Sequence, residues 1–238
     1  MNIGIIGYGK MGKAISAIAE SRGHHIVDRI DIENRRSLKD WKPESVDAAI
    51  EFTVPDQAFD NIKQCIELGI PVVSGTTGWL ERKPELDQLC EQKGGTYFYA
   101  SNYSLGVNIT IKVNQYLAGI MNSYPDFKVS MEEVHHLEKK DAPSGTAITL
   151  AQGILAEIDR LDQWTLAPGT GSDSLTITSI RQGTVPGTHT IKYSSENDEI
   201  VLQHQALSRQ GFALGAVLVT EWIQNRKGIL TMDDFIDL

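Results

Sequence analysis

Cysteine is nearly missing from this chain: Cys65 and Cys90 are the two in 238 residues. Each falls in a helix-like segment, and neither has a partner at ligand spacing. A disulfide framework is therefore not expected, and neither is a metal site. Both cysteines read as reduced core residues, which points to a cytoplasmic protein. Basic charge is also scarce, with 22 Lys and Arg against 31 Asp and Glu, a net charge of −9. Sequence-independent nucleic-acid binding needs a basic surface, so that class is set aside. Long apolar runs are missing too. The longest, Phe212 to Val219, is far short of the roughly 20 residues a membrane helix needs. The chain enters an apolar strand within its first residues, so no secretory leader is expected. What is left is an acidic chain with 41% hydrophobic residues, as soluble globular proteins have, and room for one large domain or two small ones.

What is present begins at Ile3. Ile3-Gly4-Ile5-Ile6 reads as a short apolar strand, and Gly7-Tyr8-Gly9-Lys10-Met11-Gly12 follows at once. Met11, Ala14, Ile15, Ile18 and Ala19 then repeat with helical period. This is G-x-G-x-x-G between a strand and a helix, the context in which it binds dinucleotides. Gly7, Gly9 and Gly12 allow the tight turn, the close pyrophosphate approach and the helix–strand packing. An acidic residue should close the second strand roughly 20 residues later. The segment 25–31 supplies it, with Asp31 at the strand's end. Strands at 46–53, 70–73 and 96–100 then alternate with helices, one opening at Pro55 and one over 85–92. That is the pattern of a parallel sheet with crossover helices. Such a domain binds its ligand beyond the carboxyl ends of the strands. Three loops fall there: the glycine turn, Phe52-Thr53, and the loop 74–78 containing Gly75 and Thr77, which suits a nicotinamide ring.

The pattern changes after a long helix over 105–121. Segments 127–134, 175–181 and 188–193 read as antiparallel strands, and a turn at Glu196-Asn197-Asp198 leads into a hairpin with 199–204. Strands in sequence without crossover helices imply a second, α+β domain. A helix returns over 210–224.

The densest chemistry lies in His135-His136-Leu137-Glu138-Lys139-Lys140-Asp141-Ala142-Pro143-Ser144-Gly145-Thr146-Ala147. Asp141 is placed to cap a helix that starts in this segment, with Pro143 in its first turn. Ile148, Ala151, Leu155 and Ile158 carry the helical period onward. The N–H groups of Ser144, Gly145 and Thr146 would then leave the first turn unpaired and form an anion site. Lys139 and His136 add charge and proton-transfer capacity beside it. The implied ligand is a small, carboxylate-bearing molecule that must gain or lose a proton. Like charges around Lys139 would make it readier to give up a proton. Lys140 reads as a solvated charge, and His24, His25, His189 and His204 as structural or exposed.

These residues resemble the dihydrodipicolinate reductase family over essentially the whole chain. The glycine turn, Gly75-Thr76-Thr77-Gly78, the stretch 100–108 and the block 135–147 occur in the family's order. Arg181-Gln182-Gly183 through Pro186-Gly187-Thr188-His189 follows the family pattern as well. The resemblance implies a Rossmann domain over 1–104 and 209–238, in an α/β chain. It adds an α+β substrate and tetramerisation domain over 105–208, with a mixed, largely antiparallel sheet. It implies reduction of a cyclic imine dicarboxylate by NADH or NADPH, Lys139 as general acid with His135 beside it, and substrate held by His136, Ser144, Gly145, Thr146 and Thr77. Expected cofactor contacts are Gly7, Gly9, Lys10, Met11, Gly12 and Asp31 on one side, and Phe52, Thr53, Gly75, Thr77, Ser101 and Tyr103 on the other. Asp31 is followed by Ile32 where NADPH-tolerant members carry arginine, so NADH is expected to be preferred and NADPH usable. Arg35 and Arg36, close behind, are the groups that would reverse that preference. The expected assembly is a homotetramer. Two other classes share the architecture: a different nicotinamide dehydrogenase, and a non-catalytic nucleotide sensor. Neither accounts for the block 135–147.

Overall fold

A computed structural model describes residues 1–32, 38–168, 171, 173–208 and 210–236. The chain opens with β1 (Asn2–Ile6), α1 (Lys10–Ser21), β2 (His25–Ile30), β3 (Ala48–Glu51), α2 (Pro55–Leu68), β4 (Val72–Ser74), α3 (Lys83–Lys93) and β5 (Thr96–Tyr99). It continues through α4 (Leu105–Asn122), β6 (Lys128–His135), α5 (Gly145–Leu155), β7 (Gln163–Leu166), β8 (Ser174–Arg181), β9 (Thr188–Ser194) and β10 (Glu199–Gln205). It ends with α6 (Gln210–Trp222), β11 (Gly228–Leu230) and α7 (Met232–Phe235). Two compact units result: Met1–Leu105 with Gln210–Leu238, and Gly106–Arg209. Among the described residues, no helix is long and apolar enough to cross a membrane.

The first unit is a six-stranded parallel sheet in the order β2-β1-β3-β4-β5-β11. Its strands are apolar on both faces because helices cover both. Ile15 and Ala19 of α1 and Ala213, Ala216 and Val217 of α6 pack with Ile3, Ile5, Ile50 and Phe98. On the other face, Phe59, Ile62 and Ile66 of α2 and Leu86 of α3 pack with Ile6, Ala49 and Tyr97. Helix α2 shows why these segments fold locally. Pro55 sits in the first turn, the buried stripe runs Ala58, Phe59, Ile62, Cys65, Ile66, and Gly69 ends the helix in the left-handed conformation at φ 74°. The N-cap, Val54, has no side-chain hydrogen bond to give. Each large apolar side chain in the stripe contributes roughly 1.5–3 kcal/mol on burial, which outweighs that missing cap. The strand order reverses between β1 and β3, which opens a crevice at their carboxyl ends.

The second unit is a five-stranded mixed sheet in the order β10-β9-β6-β8-β7. Strand β9 is antiparallel to both neighbours, as expected, but β8 runs parallel to both β6 and β7. The reading of 175–181 as an antiparallel strand is thus corrected. The stretch of chain between β6 and β8, which carries α5, is long enough for a crossover and permits the parallel pairing. One face of this sheet is apolar, with Met131, Leu175, Ile177, Ile191 and Tyr193 packed under Leu150, Ala151 and Ile154 of α5. Two residues further along the same face of β6, the row turns polar. Glu133 stands opposite Ser179 on β8 and His189 on β9. The short strands β7 and β11 and the one-turn helix α7 went unseen in the sequence.

Candidate active site

In the first unit the crevice at the β1/β3 reversal has a volume of about 270 Å³. It gathers five of the expected cofactor residues, Gly7, Gly9, Asp31, Phe52 and Thr53, together with Ile32. The three motif glycines have separate reasons. Gly7 has φ +92°, and a Cβ there would stand 2.0 Å from the Phe52 carbonyl oxygen. A Cβ at Gly12 would stand 2.0 Å from the Gly7 carbonyl, so Gly12 lets α1 close on the turn. A Cβ at Gly9 meets nothing within 4 Å. Gly9 therefore answers to open space, at the N-cap of a helix with no acidic residue in its first turn. Lys10 and Met11 open that helix, whose unpaired N–H groups suit a pyrophosphate. Asp31 directly follows β2 and accepts the Ile32 N–H at 2.7 Å, while the Ile32 side chain is 81% exposed. Arg35 and Arg36 lie outside the described residues.

A residue that sequence reasoning missed ties the other loops together. Glu51, at the end of β3, is fully buried. Its carboxylate accepts the Ser74 hydroxyl at 2.6 Å, the Thr76 hydroxyl at 2.9 Å, the Thr53 N–H at 3.0 Å, and a short bond from the Thr53 hydroxyl. One carboxylate thus sets the course of both the Phe52-Thr53 and the 74–78 loops. Gly75 packs against the Phe52 ring, where a Cβ would stand 2.1 Å from Cε1. Thr77 and Ser101 are exposed. Tyr103 is buried, with its hydroxyl donating to the Ser74 carbonyl at 2.6 Å and its ring centroid 5.5 Å from that of Phe52. Its side chain serves the loop, and burial drives its pKa well above the usual phenol value.

In the second unit the N-cap of α5 is Ser144, not Asp141. Its hydroxyl accepts the Ala147 N–H at 3.2 Å, three residues on, which Asp141 is too early in the chain to do. Asp141 instead pairs through both carboxylate oxygens with Lys139 Nζ at 2.8 Å. Lys139 therefore has an anion as its nearest charged neighbour, not the cationic cluster expected. That ammonium holds the Asp141 pKa below its ordinary value. The Ser144 N–H is not open to a ligand either, because it donates to Glu133 Oε2 at 3.0 Å. Gly145 is exposed and Thr146 half-buried, and their N–H groups have no partner among the described residues. The expected anion site is thereby narrowed to these two groups. The buried helix face is Ala147, Leu150, Ala151 and Ile154.

Glu133 is fully buried and was not picked out from the sequence. Besides Ser144, it accepts Arg181 Nη2 at 3.1 Å through Oε1. Burial pushes its pKa up, but hydrogen bonds from Ser144 and the Arg181 guanidinium outweigh that and hold it below the ordinary carboxylate value. His135 ends β6 with Nδ1 3.4 Å from Glu133 Oε2, and its ring lies edge-on to His189 at 5.2 Å between centroids. His189 Nε2 is 3.1 Å from the Ser144 hydroxyl. Burial lowers both imidazole pKa values, His189 to about 4. His189, read as structural or exposed, thus belongs to this cluster. The flanking pattern 181–189 was the available signal. His136 is half-buried, Lys140 is exposed, and His24 is tied to Glu221 at 2.7 Å. Glu133, His135 and His189 have potential ligand atoms within 4.8 Å of one another. Both Glu133 oxygens already receive N–H donors, which is not how a metal carboxylate is disposed.

Comparison with known proteins accounts for both units. Residues 1–103 match the family described as dihydrodipicolinate reductase, N-terminus, and residues 106–236 match dihydrodipicolinate reductase, C-terminus. The chain is 48% identical over 238 residues to the 4-hydroxy-tetrahydrodipicolinate reductase of Christiangramia forsetii, covering 99% of this chain and 98% of that protein. It is 34% identical over 253 residues to the protein of the same name from Oleidesulfovibrio alaskensis, covering 96% of each. Its fold matches a dipicolinate-bound dihydrodipicolinate reductase from Paenisporosarcina sp. with a TM-score of 0.79, at 23% identity over 99% of both chains. The amino-terminal family domain is nucleotide-binding, in keeping with the glycine turn at the strand reversal, and the cofactor is a pyridine nucleotide. Matched in both halves and along nearly its full length, the chain belongs to the dihydrodipicolinate reductase family of oxidoreductases.

Proposed function

We propose that this enzyme reduces 4-hydroxy-tetrahydrodipicolinate to tetrahydrodipicolinate with NAD(P)H, in the diaminopimelate route to lysine. The observation that carries the reading at residue level is the segment 135–146. It sets an ion-paired lysine, Lys139, just ahead of the two unpaired N–H groups of Gly145 and Thr146. The nicotinamide, when bound, supplies the hydride. Hydride addition to a conjugated imine leaves an electron-rich enamine that must take a proton. Lys139 is the donor, and Asp141 holds its ammonium group at a fixed place. His135, buried and kept neutral by burial, borders the reacting atoms. His136, Gly145 and Thr146 hold the substrate carboxylates, with Thr77 as a further contact. Ser144 acts from beneath as the cap that exposes the next two N–H groups.

Lys139→Ala should lower kcat by ~10²-fold or more, the usual scale for a general acid. NADH affinity should stay unchanged. Wild-type turnover in that variant would overturn the assignment. Pyridine-2,6-dicarboxylate, the ligand of the Paenisporosarcina protein, should compete with substrate.

The finer cofactor reading is NADH preferred and NADPH usable. The first unit would hold the pyrophosphate at Gly7, Gly9, Lys10, Met11 and Gly12 and the adenosine ribose at Asp31. Gly75, Ser101 and the Phe52-Thr53 loop would lie along the nicotinamide half, with Tyr103 behind. A 2′-phosphate would meet the Asp31 carboxylate, and Ile32 offers no compensating charge. A wild-type kcat/KM favouring NADPH that collapses in Arg35→Ala/Arg36→Ala would assign the choice to those arginines instead.

The proposed assembly is a homotetramer. Strand β10 is an edge of the second sheet, and it exposes Ile200 and Val201. A monomer in sedimentation at micromolar concentration would contradict this. The buried free thiols of Cys65 and Cys90 agree with a cytoplasmic location.

A further inference from the structure

We infer that Glu133 is a positioning residue for the reaction, acting through the segment that carries Lys139. The inference rests on the reading of Lys139 as proton donor.

The segment 136–143 leaves β6 and returns at the cap of α5. Its returning end and its middle are fixed, directly or through one intermediate, to the Glu133 carboxylate. Oε2 receives the Ser144 N–H at 3.0 Å, which pins the returning end. Oε1 receives Arg181 Nη2 at 3.1 Å. That same Nη2 donates to the Asp141 carbonyl at 2.6 Å, and Arg181 Nε donates to the Lys139 carbonyl at 3.4 Å. The backbone of both members of the Lys139–Asp141 ion pair therefore hangs on one guanidinium, and the guanidinium is oriented by one buried carboxylate. Sheet register delivers these groups together. Glu133 pairs with Ser179 and His189 across its two neighbours, and His135 pairs with Arg181 one position beyond Val134.

A carboxylate with no exposed surface is costly to bury. An apolar residue in its place would continue the row of Met131, Ile177 and Ile191. Glu133 itself is engaged by the segment and not by a ligand, so its influence on the reaction must pass through Lys139. Misplacing a reacting group by about 1 Å can cost ~10²-fold in rate, which sets the scale available to such a residue.

The test is a pair of double-mutant cycles with a kcat-against-KM readout. Glu133→Gln should lower kcat by ~10-fold or more, with a smaller change in KM and no change in NADH affinity. In the Lys139→Ala background, the same substitution should cost less than ~3-fold, because there is no longer a donor to misplace. Arg181→Gln, on a partly exposed side chain, should repeat both results and carries the test should Glu133→Gln fail to fold. Losses that multiply with Lys139→Ala in the folded variants, or a kcat within twofold of wild type, would overturn the positioning role. A Lys139→Ala enzyme of wild-type activity would instead overturn the proton-donor reading, so the two failures are distinguishable.

Discussion

Each unit buries one carboxylate completely near the carboxyl end of a central strand, Glu51 in the first and Glu133 in the second. Their surroundings differ in kind. Glu51 is satisfied by neutral donors alone: three hydroxyls and one backbone N–H. Glu133 is satisfied by a guanidinium and a backbone N–H, with two imidazoles beside it. Neutral donors keep their form over the working range of pH, so the Glu51 web is a fixed scaffold for the loops of a nucleotide site. The Glu133 web contains groups that titrate, and it underlies the segment proposed to deliver a proton. The same device, a buried acid that organises loops, is thus built once for shape and once for charge.

Removing the acid from the neutral web should give the largest effect on stability. Glu51→Ala leaves several buried donors unpaired at ~1–3 kcal/mol each, so a loss of about 3–5 kcal/mol is expected in urea unfolding. A loss under about 1 kcal/mol would mean that Glu51 does not organise those loops.

Acid should separate the two webs next. His189 has a folded pKa of about 4 against an ordinary 6.5. The unfolded chain therefore binds more protons between those values, and stability must fall as pH drops from about 6.5 towards 4, by up to about 3 kcal/mol. His135 acts in the same direction, since burial lowers it too. Glu133, also lowered, adds a further loss below the ordinary carboxylate range, as pH falls through its folded pKa. Urea midpoints at pH 7.5 and 4.5 measure this, and His189→Gln should flatten the slope. The first unit is vulnerable at the other extreme. Buried Tyr103 and Cys65 have raised pKa values, so their contribution is lost as pH climbs through those values. An acid transition unchanged by His189→Gln would break the contrast.

Glycine substitutions sharpen the comparison at smaller cost. Gly12→Ala forces a Cβ to within 2.0 Å of the Gly7 carbonyl and should destabilise the first unit by ~1–3 kcal/mol. Gly9→Ala meets nothing in the protein and should leave stability within about 0.5 kcal/mol. It should still weaken NADH binding, by ~10-fold or about 1.4 kcal/mol in titration. Unchanged affinity would show that the open space at Gly9 is not where the cofactor approaches.

What could be read from the sequence was what is local. The strand–glycine–helix unit at Ile3–Ala19, the helix between Pro55 and Gly69, and the hairpin joining β9 to β10 each announce themselves by period and punctuation within about 15 residues. Strand β7 has no alternation, with its four residues exposed or half-buried, and β11 has three residues. Neither offers a period to detect. The parallel pairing of β6 with β8 depends on residues more than 40 apart in the chain, Glu133 with Ser179 for one. The capping of α5 turned on competition: Asp141 and Ser144 both suit an N-cap, and a lysine two residues before Asp141 drew it away. The two buried acids did leave a trace. Glu51 closes a strand that is otherwise apolar and buried, and Glu133 follows Met131 on the inward face of β6, where a charge needs partners that only the folded sheet supplies.

The second unit is inserted between β5 and the segment carrying α6 and β11, which completes the first sheet. That late segment is no loose appendage. Gly215 of α6 lies so close to Tyr103 that a Cβ would stand 1.7 Å from its carbonyl oxygen. On the ribosome, the nucleotide-binding unit is therefore the first to be begun and the last to be finished. Its β5 edge, and the face that α6 will cover with Ala213, Ala216 and Val217, stay open while residues 106–209 are made, roughly 5–20 s at ordinary rates of translation. For that interval the newborn chain carries an uncovered apolar surface and an unpaired strand, and its handling by chaperones depends on the gap in its topology more than on the stability of either finished unit.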